Sequence, residues 1–257
     1  MNVSEKWNSL QTIVRKEVKR CFRIWPQSFL PSVITMTLYY VVFGRVLGAR
    51  IAPISGFSYI QYISPGLIMM PILLNSFSNT SSSFFGSKFS RCIEELMVSS
   101  MPMYLVSIGF LLGGVFRGVF VGFLVVLVSL FFTHLHISHP LIMVYSVLVT
   151  AVIFSLAGLI NGIFARKFDD VSWIPSFVIT PMTYLGGVFY SVHALPGIWR
   201  TLTMLDPIHY VVSSFRYSML GVEGAHLTLA LTVLTVLALS MFVLSVYLLN
   251  NSRSMRD

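Results

Sequence analysis

Residues 104–132, which run YLVSIGFLLGGVFRGVFVGFLVVLVSLFF, contain one charged side chain, Arg117. A helix of about 20 apolar residues crosses the roughly 30 Å hydrocarbon core of a bilayer with its backbone polar groups satisfied internally. Similar apolar segments recur along the chain, and we predict an all-α membrane protein with six transmembrane helices. The predicted spans cover residues 28–48, 57–85, 104–132, 140–165, 171–190 and 227–249.

The composition of the 257-residue chain agrees with this fold class. It is 56% hydrophobic and 10% charged, against roughly 25% charged residues in a soluble domain. The net charge of +8 does not predict nucleic acid binding, because the basic residues lie at the ends of the apolar segments rather than on one polar surface. Membrane lipid is the partner that this charge pattern predicts.

The distribution of Lys and Arg predicts the orientation in the membrane. Of the 17 basic residues, twelve lie in the N-terminal segment, the second and fourth loops and the C-terminal tail, and four lie in the other loops. Cytoplasmic loops are enriched in Lys and Arg. Both termini are therefore expected in the cytoplasm, and Cys21 and Cys92, on that side, are expected to be free thiols.

The N-terminal segment has the pattern of an amphipathic helix. Between residues 4 and 25, apolar side chains recur at steps of three and four with basic residues between them. We predict a cytoplasmic helix in the membrane interface, occupying residues 1–27, ahead of a transmembrane domain over residues 28–257. A solvated helix that docks on a partner protein is the alternative interpretation.

The second predicted span changes from an apolar half to a polar one. Hydroxyl and amide side chains at membrane depth are expected to face protein or a water-filled path. Hydrogen bonding between helices, as a packing device, is the alternative for any single residue. We predict a polar pathway wall formed by Asn75, Ser76, Ser78, Asn79 and Thr80.

A short amphipathic helix is predicted over residues 87–99, ahead of Pro102. A helix of this kind can insert into a groove on a partner protein. A connector that lies flat on the membrane is the alternative. Glu94 and Glu95 disfavour that alternative, because the cytoplasmic leaflet is itself negatively charged.

Five glycines in the third span, from Gly109 to Gly122, have the spacing that lets helices approach closely. They predict tight helix packing and are consistent with a dimer. Arg117 lies in the same span, where a charge costs several kcal/mol unless it is paired, hydrated or near the interface. We expect it to face the protein interior, either in an ion pair or in gating.

The connection between the fifth and sixth spans predicts an external re-entrant hairpin. Pro196 suits the first turn of one short helix, and Asp206 with Pro207 suits the N-cap and first residue of another. Both helices are too short to cross the membrane, and such a pair is tolerated at membrane depth only when protein shields it. We expect the hairpin to cap the outer mouth of a path.

The sequence lacks the phosphate loop G-x-x-x-x-G-K-[ST] and other nucleotide and hydrolase motifs. The chain is therefore not expected to be an enzyme or to bind a cofactor. His134, His136 and His139 have a spacing similar to metal ligands, but turn residues are favoured because no carboxylate or cysteine lies nearby, and a metal-dependent membrane enzyme stays a third hypothesis. The runner-up function, an ion-coupled secondary transporter, would need acidic residues inside the spans, which are absent.

The C-terminal half resembles the signature of the ABC-2 family of ABC exporter permeases. The matching residues are Pro181 to Tyr190 (PMTYLGGVFY), Leu195, Pro196, Trp199, Leu205 to Pro207, Tyr210, Phe215, Arg216 and Gly221. The remaining segments fit this family in order, so the resemblance covers the whole chain. The segment ARKFDD at 165–170 and residues 180–191 resemble the YadH-type permeases of the bacterial inner membrane.

This resemblance implies a homodimer that binds two copies of a separate ABC ATPase subunit, which would hold ATP and Mg. It implies export of a lipid, glycan or drug-like substrate across the inner membrane by alternating access. The implied ATPase-coupling residues are Lys88, Arg91, Glu94, Glu95 and Leu96. The implied external gate comprises Gly186, Gly187, Tyr190, Pro196, Trp199, Pro207, Tyr210 and Arg216.

Overall fold

A computed structural model describes residues 2–48, 50–54, 56–93, 95, 101–192, 195–221 and 227–251. These residues form helices joined by turns. The helices are α1 (Val3–Arg23), α2 (Trp25–Tyr39), α3 (Tyr59–Phe89), α4 (Met103–Leu130), α5 (Pro140–Phe164), α6 (Phe168–Ile174), α7 (Thr180–Leu185), α8 (Gly197–Leu205), α9 (Pro207–Leu220) and α10 (Leu227–Asn251). Two π-helical segments, Tyr40–Leu47 and Pro175–Ile179, follow α2 and α6.

Among the residues that the structure describes, four helices are long and apolar enough to cross a membrane: α3, α4, α5 and α10. They correspond to the second, third, fourth and sixth predicted spans. The first and fifth predicted spans are each divided, because α2 passes into one π-helical segment and α6 passes through the other into α7. The all-helical membrane fold is confirmed, and the six-span topology stays a prediction.

Two prolines, Pro175 and Pro181, accompany the division of the fifth predicted span. Proline has no backbone N–H and leaves a carbonyl of the preceding turn without its helical partner. The hydroxyl of Thr180 donates a 2.8 Å hydrogen bond to the carbonyl of Pro175. The same carbonyl also accepts the backbone N–H of Thr180, the i to i+5 bond of a π-helix. This carbonyl therefore keeps hydrogen-bond donors inside the division, which is compatible with a path through the bilayer.

The central helix is α3, which is buried along most of its length against α4, α5 and α9. Leu67, Leu73 and Phe77 are fully buried on α3 and belong to the same apolar core as Val211 and Phe215 of α9. Helix α10 differs, because most of its apolar side chains are exposed or half-buried in this chain. Its exposed residues include Val236, Leu239, Val243 and Tyr247.

The glycines of α4 lie at close helix contacts, as the sequence predicts, and Gly158 of α5 does so as well. Gly109 faces Ile13 of α1, and Gly118 faces the backbone of α3 at Ile72. Gly158 of α5 faces the backbone of α3 at Phe77. These glycines therefore support packing within one chain, and a homodimer needs other evidence.

Gly158→Ala is expected to destabilise the protein by roughly 1–3 kcal/mol, the usual range for overpacking. A Cβ on Gly158 would meet the carbonyl oxygen of Phe77 and lie 3.1 Å from its Cα, so the backbone of α3 would have to move. The matched control is Gly86→Ala, because a Cβ there has no neighbour within 4 Å. Thermal unfolding in detergent measures both variants, and equal midpoints would contradict this account of the packing.

Helix α1 follows the predicted range, but it packs on the helical core instead of lying apart on the membrane surface. Ile13, Glu17 and Cys21 are buried, facing α3 and α4. Trp7 and Trp25 are exposed at 59% and 55%, which suits aromatic rings at headgroup depth. One face of α1 is thus bound to the protein, and the tryptophans are free to contact lipid.

The predicted helix over residues 87–99 begins later than expected. Helix α3 continues to Phe89, so residues 87–89 form its last turn. Arg91 then adopts a φ of 59°, a left-handed conformation that ends the helix. Helical structure resumes at Cys92 and Ile93. Of the predicted coupling residues, Glu95 is exposed, and Glu94 and Leu96 lie outside the described residues.

Candidate functional site

Helix α1 is bound to the polar half of α3 through a pair of charged residues. Arg20 Nη2 donates to the backbone oxygen of Asn79 at 2.8 Å and to its Oδ1 at 3.0 Å. Glu17 Oε1 accepts a 2.6 Å hydrogen bond from Ser83, and Glu17 Oε2 lies 3.7 Å from Arg20 Nε. Hydrogen bonds to charged groups are stronger than neutral ones, so this pair holds the two helices together.

The predicted wall residues have different surroundings. Asn75 Nδ2 donates to Ser32 of α2 at 3.0 Å. Ser76 and Thr80 are fully buried against the glycines of α4, and Asn79 is buried beneath α1. Ser78 alone of the five is partly exposed. Four of the five therefore contact neighbouring helices, and Ser78 is the one that faces open space.

That open space is a cleft of about 440 Å³ between α1, α2, α3, α4 and the divided fifth segment. Ser78 and Ser82 of α3 line it, together with Arg20 of α1 and Arg117 of α4. The α1–α2 junction contributes Ser28. The cleft therefore joins the predicted polar wall to the predicted intramembrane charge.

Arg117 is directed into the protein, where its Nη2 donates to Asn75 Oδ1 at 3.2 Å. Within the described ranges, the ion pair of Glu17 with Arg20 is the only one, so the ion pair considered for Arg117 is not found there. Its Nε has no hydrogen-bond partner in that part of the chain. Arg117 thus faces the cleft with unused donor capacity.

The α8–α9 hairpin is attached to α3 by Arg216, which is 4% exposed. Its Nη2 donates to the carbonyl of Gly187 at 2.7 Å, and its Nε donates to the carbonyl of Tyr62 at 3.2 Å. The guanidinium also lies 4.2 Å from the centre of the Tyr62 ring. Carbonyl oxygens and an aromatic face together compensate this buried charge.

The other predicted gate residues surround this attachment. Gly187 has a φ of 78°, a conformation that favours glycine, and Gly186 packs against Ile208. The hydroxyls of Tyr190 and Tyr210 donate to the carbonyls of Leu185 (3.2 Å) and Met204 (2.8 Å), respectively. Pro196 caps α8, Pro207 begins α9 and Trp199 is half exposed. The eight residues are grouped around the hairpin, and their gating role stays a prediction.

Asp206 is the N-cap of α9, as predicted: its Oδ1 accepts a 2.8 Å hydrogen bond from the Ile208 backbone N–H. The carboxyl is buried, with 5% of the residue exposed. Burial raises the pKa of Asp206 from 3.8 to about 6, and the bond from Ile208 opposes part of that rise. The cap therefore titrates close to neutral pH.

Acidification is expected to stabilise the protein through Asp206. Because its pKa is higher in the folded state, the stabilising contribution is complete below about pH 4 and is lost as pH rises through about 6. The expected change is about 2–3 kcal/mol. Asp206→Asn, which keeps an N-cap acceptor, should flatten this dependence. Thermal midpoints of the wild type and of Asp206→Asn between about pH 4 and 8 measure this pH dependence. Identical profiles for the two proteins would refute the role of Asp206.

His134, His136 and His139 do not form a metal site with other described residues. No group of three His, Cys, Asp or Glu side chains in the described ranges is arranged to hold a metal ion. His139 instead stacks on Tyr217 of α9, with ring centres 5.1 Å apart. Its backbone N–H donates to the carbonyl of Ser218 at 2.9 Å. This loop therefore contacts the hairpin.

Sequence reasoning missed several residues at these contacts. Glu17 and Arg20 were interpreted only as part of a charged helix, although they bind α3. Asn161 of α5, which donates to Ser81 at 2.8 Å, was not singled out. One signal was available for α1: Ile13, Glu17 and Cys21 recur at intervals of four, which places Glu17 on a face with two apolar side chains.

The chain is similar to known proteins along most of its length. The chain is 47% identical over 251 residues to the inner membrane transport permease YadH of Escherichia coli strain K12, covering 98% of each protein. It is 22% identical over 238 residues to nodulation protein J of Sinorhizobium fredii, covering 90% of each. Residues 8–220 match the family described as ABC-2 type transporter. The chain therefore belongs to the ABC-2 type transporter family.

Proposed function

We propose that the chain is the permease subunit of an ABC exporter of the bacterial inner membrane. In this proposal a homodimer binds two copies of a separate ATPase subunit, which holds ATP and Mg and drives alternating access. The transported substrate is a lipid, a glycan or a drug-like molecule. The observation that carries the proposal is the 47% identity to the transport permease YadH along 98% of both chains.

The contacts of α3 support a route for the driving force. The predicted coupling residues begin with Lys88 in α3, the central helix, and the other four follow the end of that helix in sequence. Lys88, in the last turn of α3, donates to the carbonyls of Ile163 at 3.0 Å and Ala165 at 3.2 Å. A push on the coupling segment would therefore reach α3 and the end of α5 together, and would act on the cleft that α3 lines.

The proposed topology has six spans with both termini in the cytoplasm. It places the coupling segment on the ATPase side and the Arg216 hairpin on the outer side. Cysteine scanning with a membrane-impermeant maleimide tests it at Arg253 and at Arg200, each replaced by Cys in a variant without Cys21 and Cys92. Labelling of intact cells only at position 200 is expected, and labelling at position 253 would contradict the topology.

Charge reversal at the coupling segment tests the proposed function. The double variant Glu94→Lys, Glu95→Lys is expected to lower permease-stimulated ATPase activity at least tenfold or to abolish co-purification of the ATPase, because acidic side chains would no longer match their partner. Asp169→Lys is the matched control, since Asp169 is an exposed acid in another predicted cytoplasmic loop. Full stimulation and full co-purification in the double variant would contradict this placement of the coupling contact.

The runner-up, ion-coupled transport without an ATPase, has less support. The buried acids of the described residues are Glu17 and Asp206, and both lie outside the predicted spans, where a proton relay would be needed. Reconstitution of the purified chain alone in vesicles separates the two functions. We expect transport only when the ATPase subunit and ATP are added.

A further inference from the structure

The cleft beside α1 combines positive charge with hydroxyl groups. Arg20 and Arg117 both line it, and Ser28, Ser78 and Ser82 contribute hydroxyls. None of the described residues that line it carries a carboxylate. Guanidinium and hydroxyl groups are the side chains that proteins use to bind phosphate and similar oxyanions.

The charge of this cleft is incompletely balanced. Glu17 lies 3.7 Å from Arg20 Nε and offsets that cation. Arg117 forms no ion pair with the acids that the structure describes, and its hydrogen bond goes to the neutral amide of Asn75. Because arginine stays protonated and a charge at this depth is costly, an anion in the cleft would stabilise the site.

The cleft also has donors without acceptors. Ser28 is 2% exposed, and its hydroxyl has no hydrogen-bond partner in the described part of the chain. The Nε atoms of Arg20 and Arg117 are buried and lack hydrogen bonds there as well. Buried polar groups nearly always have partners. Arg20 Nε faces the Glu17 carboxylate, whereas Ser28 and Arg117 leave two donors on the walls of one cleft, which indicates a ligand that accepts hydrogen bonds.

We propose that this cleft binds an oxyanion group, of the phosphate or sulfate type, on the transported substrate. The proposal rests on the transport function proposed above and narrows its substrate class to anions. Arg117 would supply the charge that holds the group, and Ser28 and Arg20 would add hydrogen bonds. The group has two possible sources: a free anion in the cytoplasm or the headgroup of an anionic amphiphile.

Binding to the purified permease without any ATPase tests the proposal. The probes are inorganic phosphate, dodecyl phosphate and the uncharged dodecanol, each titrated into protein in a neutral detergent while the thermal midpoint is followed. About 0.15 M salt limits unspecific attraction, because the Debye length is then about 8 Å. A saturable rise with dodecyl phosphate alone identifies a headgroup. A rise with inorganic phosphate as well identifies an anion that binds without an alkyl chain.

Variants assign the binding to the cleft. Arg117→Gln is expected to weaken phosphate-dependent binding at least tenfold, and Ser28→Ala to weaken it several-fold. Arg117→Lys keeps the charge, so its affinity for the phosphate probe should stay within a few-fold of wild type. Binding by this variant would show that the loss in Arg117→Gln is not a folding defect. Arg200→Gln, on the exposed face of α8, should bind as wild type does.

The proposal is overturned if neither phosphate probe changes the midpoint more than dodecanol does, or if Arg117→Gln binds as tightly as wild type. Because no ATPase is present, these results are independent of the exporter mechanism. Loss of ATPase coupling with intact phosphate binding would contradict the proposed function alone. Intact coupling without phosphate binding would contradict the anion site alone.

Discussion

Glu17→Lys is expected to raise the reaction rate of Cys21 with a maleimide at least tenfold. The new ammonium would be buried beside Arg20, and Ser83 would lose its acceptor. Breaking a buried charged pair costs about 3–5 kcal/mol, enough to populate states in which α1 has left α3. Cys21 is fully buried in the folded state, and this burial raises the pKa of its thiol.

The measurement uses a Cys92→Ser background, because Cys92 is partly exposed and would also react. The matched control is Glu5→Lys, which makes the same charge change on α1 at an exposed position. Cys21 should remain protected in that control. Equal labelling rates in the two variants would show that the contact of Glu17 with α3 does not hold α1 in place.

Arg216→Ala is expected to destabilise the purified protein by about 3 kcal/mol, since hydrogen bonds from a charged group contribute about 1.5–3 kcal/mol each. The carbonyls of Tyr62 and Gly187 would lose their donor in a buried setting. Arg216→Lys should recover part of the loss, because an ammonium carries the charge without the planar fork.

Thermal unfolding in detergent and recovery of monodisperse protein measure the effect of Arg216→Ala. Arg200→Ala is the control, because Arg200 lies in the same hairpin but is exposed. We expect its free energy of unfolding to stay within about 0.5 kcal/mol of wild type, as for other surface substitutions. An equally small effect for Arg216→Ala would mean that the hairpin is held by α9 packing alone.

Local signals predicted much of the fold. The N-cap at Asp206 depends on residues next to it in sequence, and the structure contains the predicted bond to Ile208. Membrane helices such as α4 are recognised from hydropathy because their length and composition are fixed by the bilayer. The amphipathic period over residues 4–25 also predicted a helix that overlaps most of the observed α1, Val3–Arg23.

Long-range contacts were beyond these signals. In the sequence, an acid among basic residues has the pattern of a solvent-exposed side chain. Glu17 is buried instead because it bonds to Ser83, which lies 66 residues away. The division of the fifth span depends on how Thr180 bonds to Pro175, which hydropathy does not register. The cleft likewise needs α1, α3 and α4 together, so Arg20 and Ser28 could not be assigned to one site with Arg117 from the sequence.

The attachment of the hairpin by Arg216 uses main-chain oxygens and an aromatic ring, and the described contacts include no acid. Carbonyl groups do not titrate and are available in every protonation state of the chain. These hydrogen bonds of Arg216 therefore keep the same strength in acidic and neutral surroundings. A mechanical displacement of Gly187 or Tyr62 could release these bonds, whereas the pH dependence of the hairpin comes from its buried N-cap, Asp206.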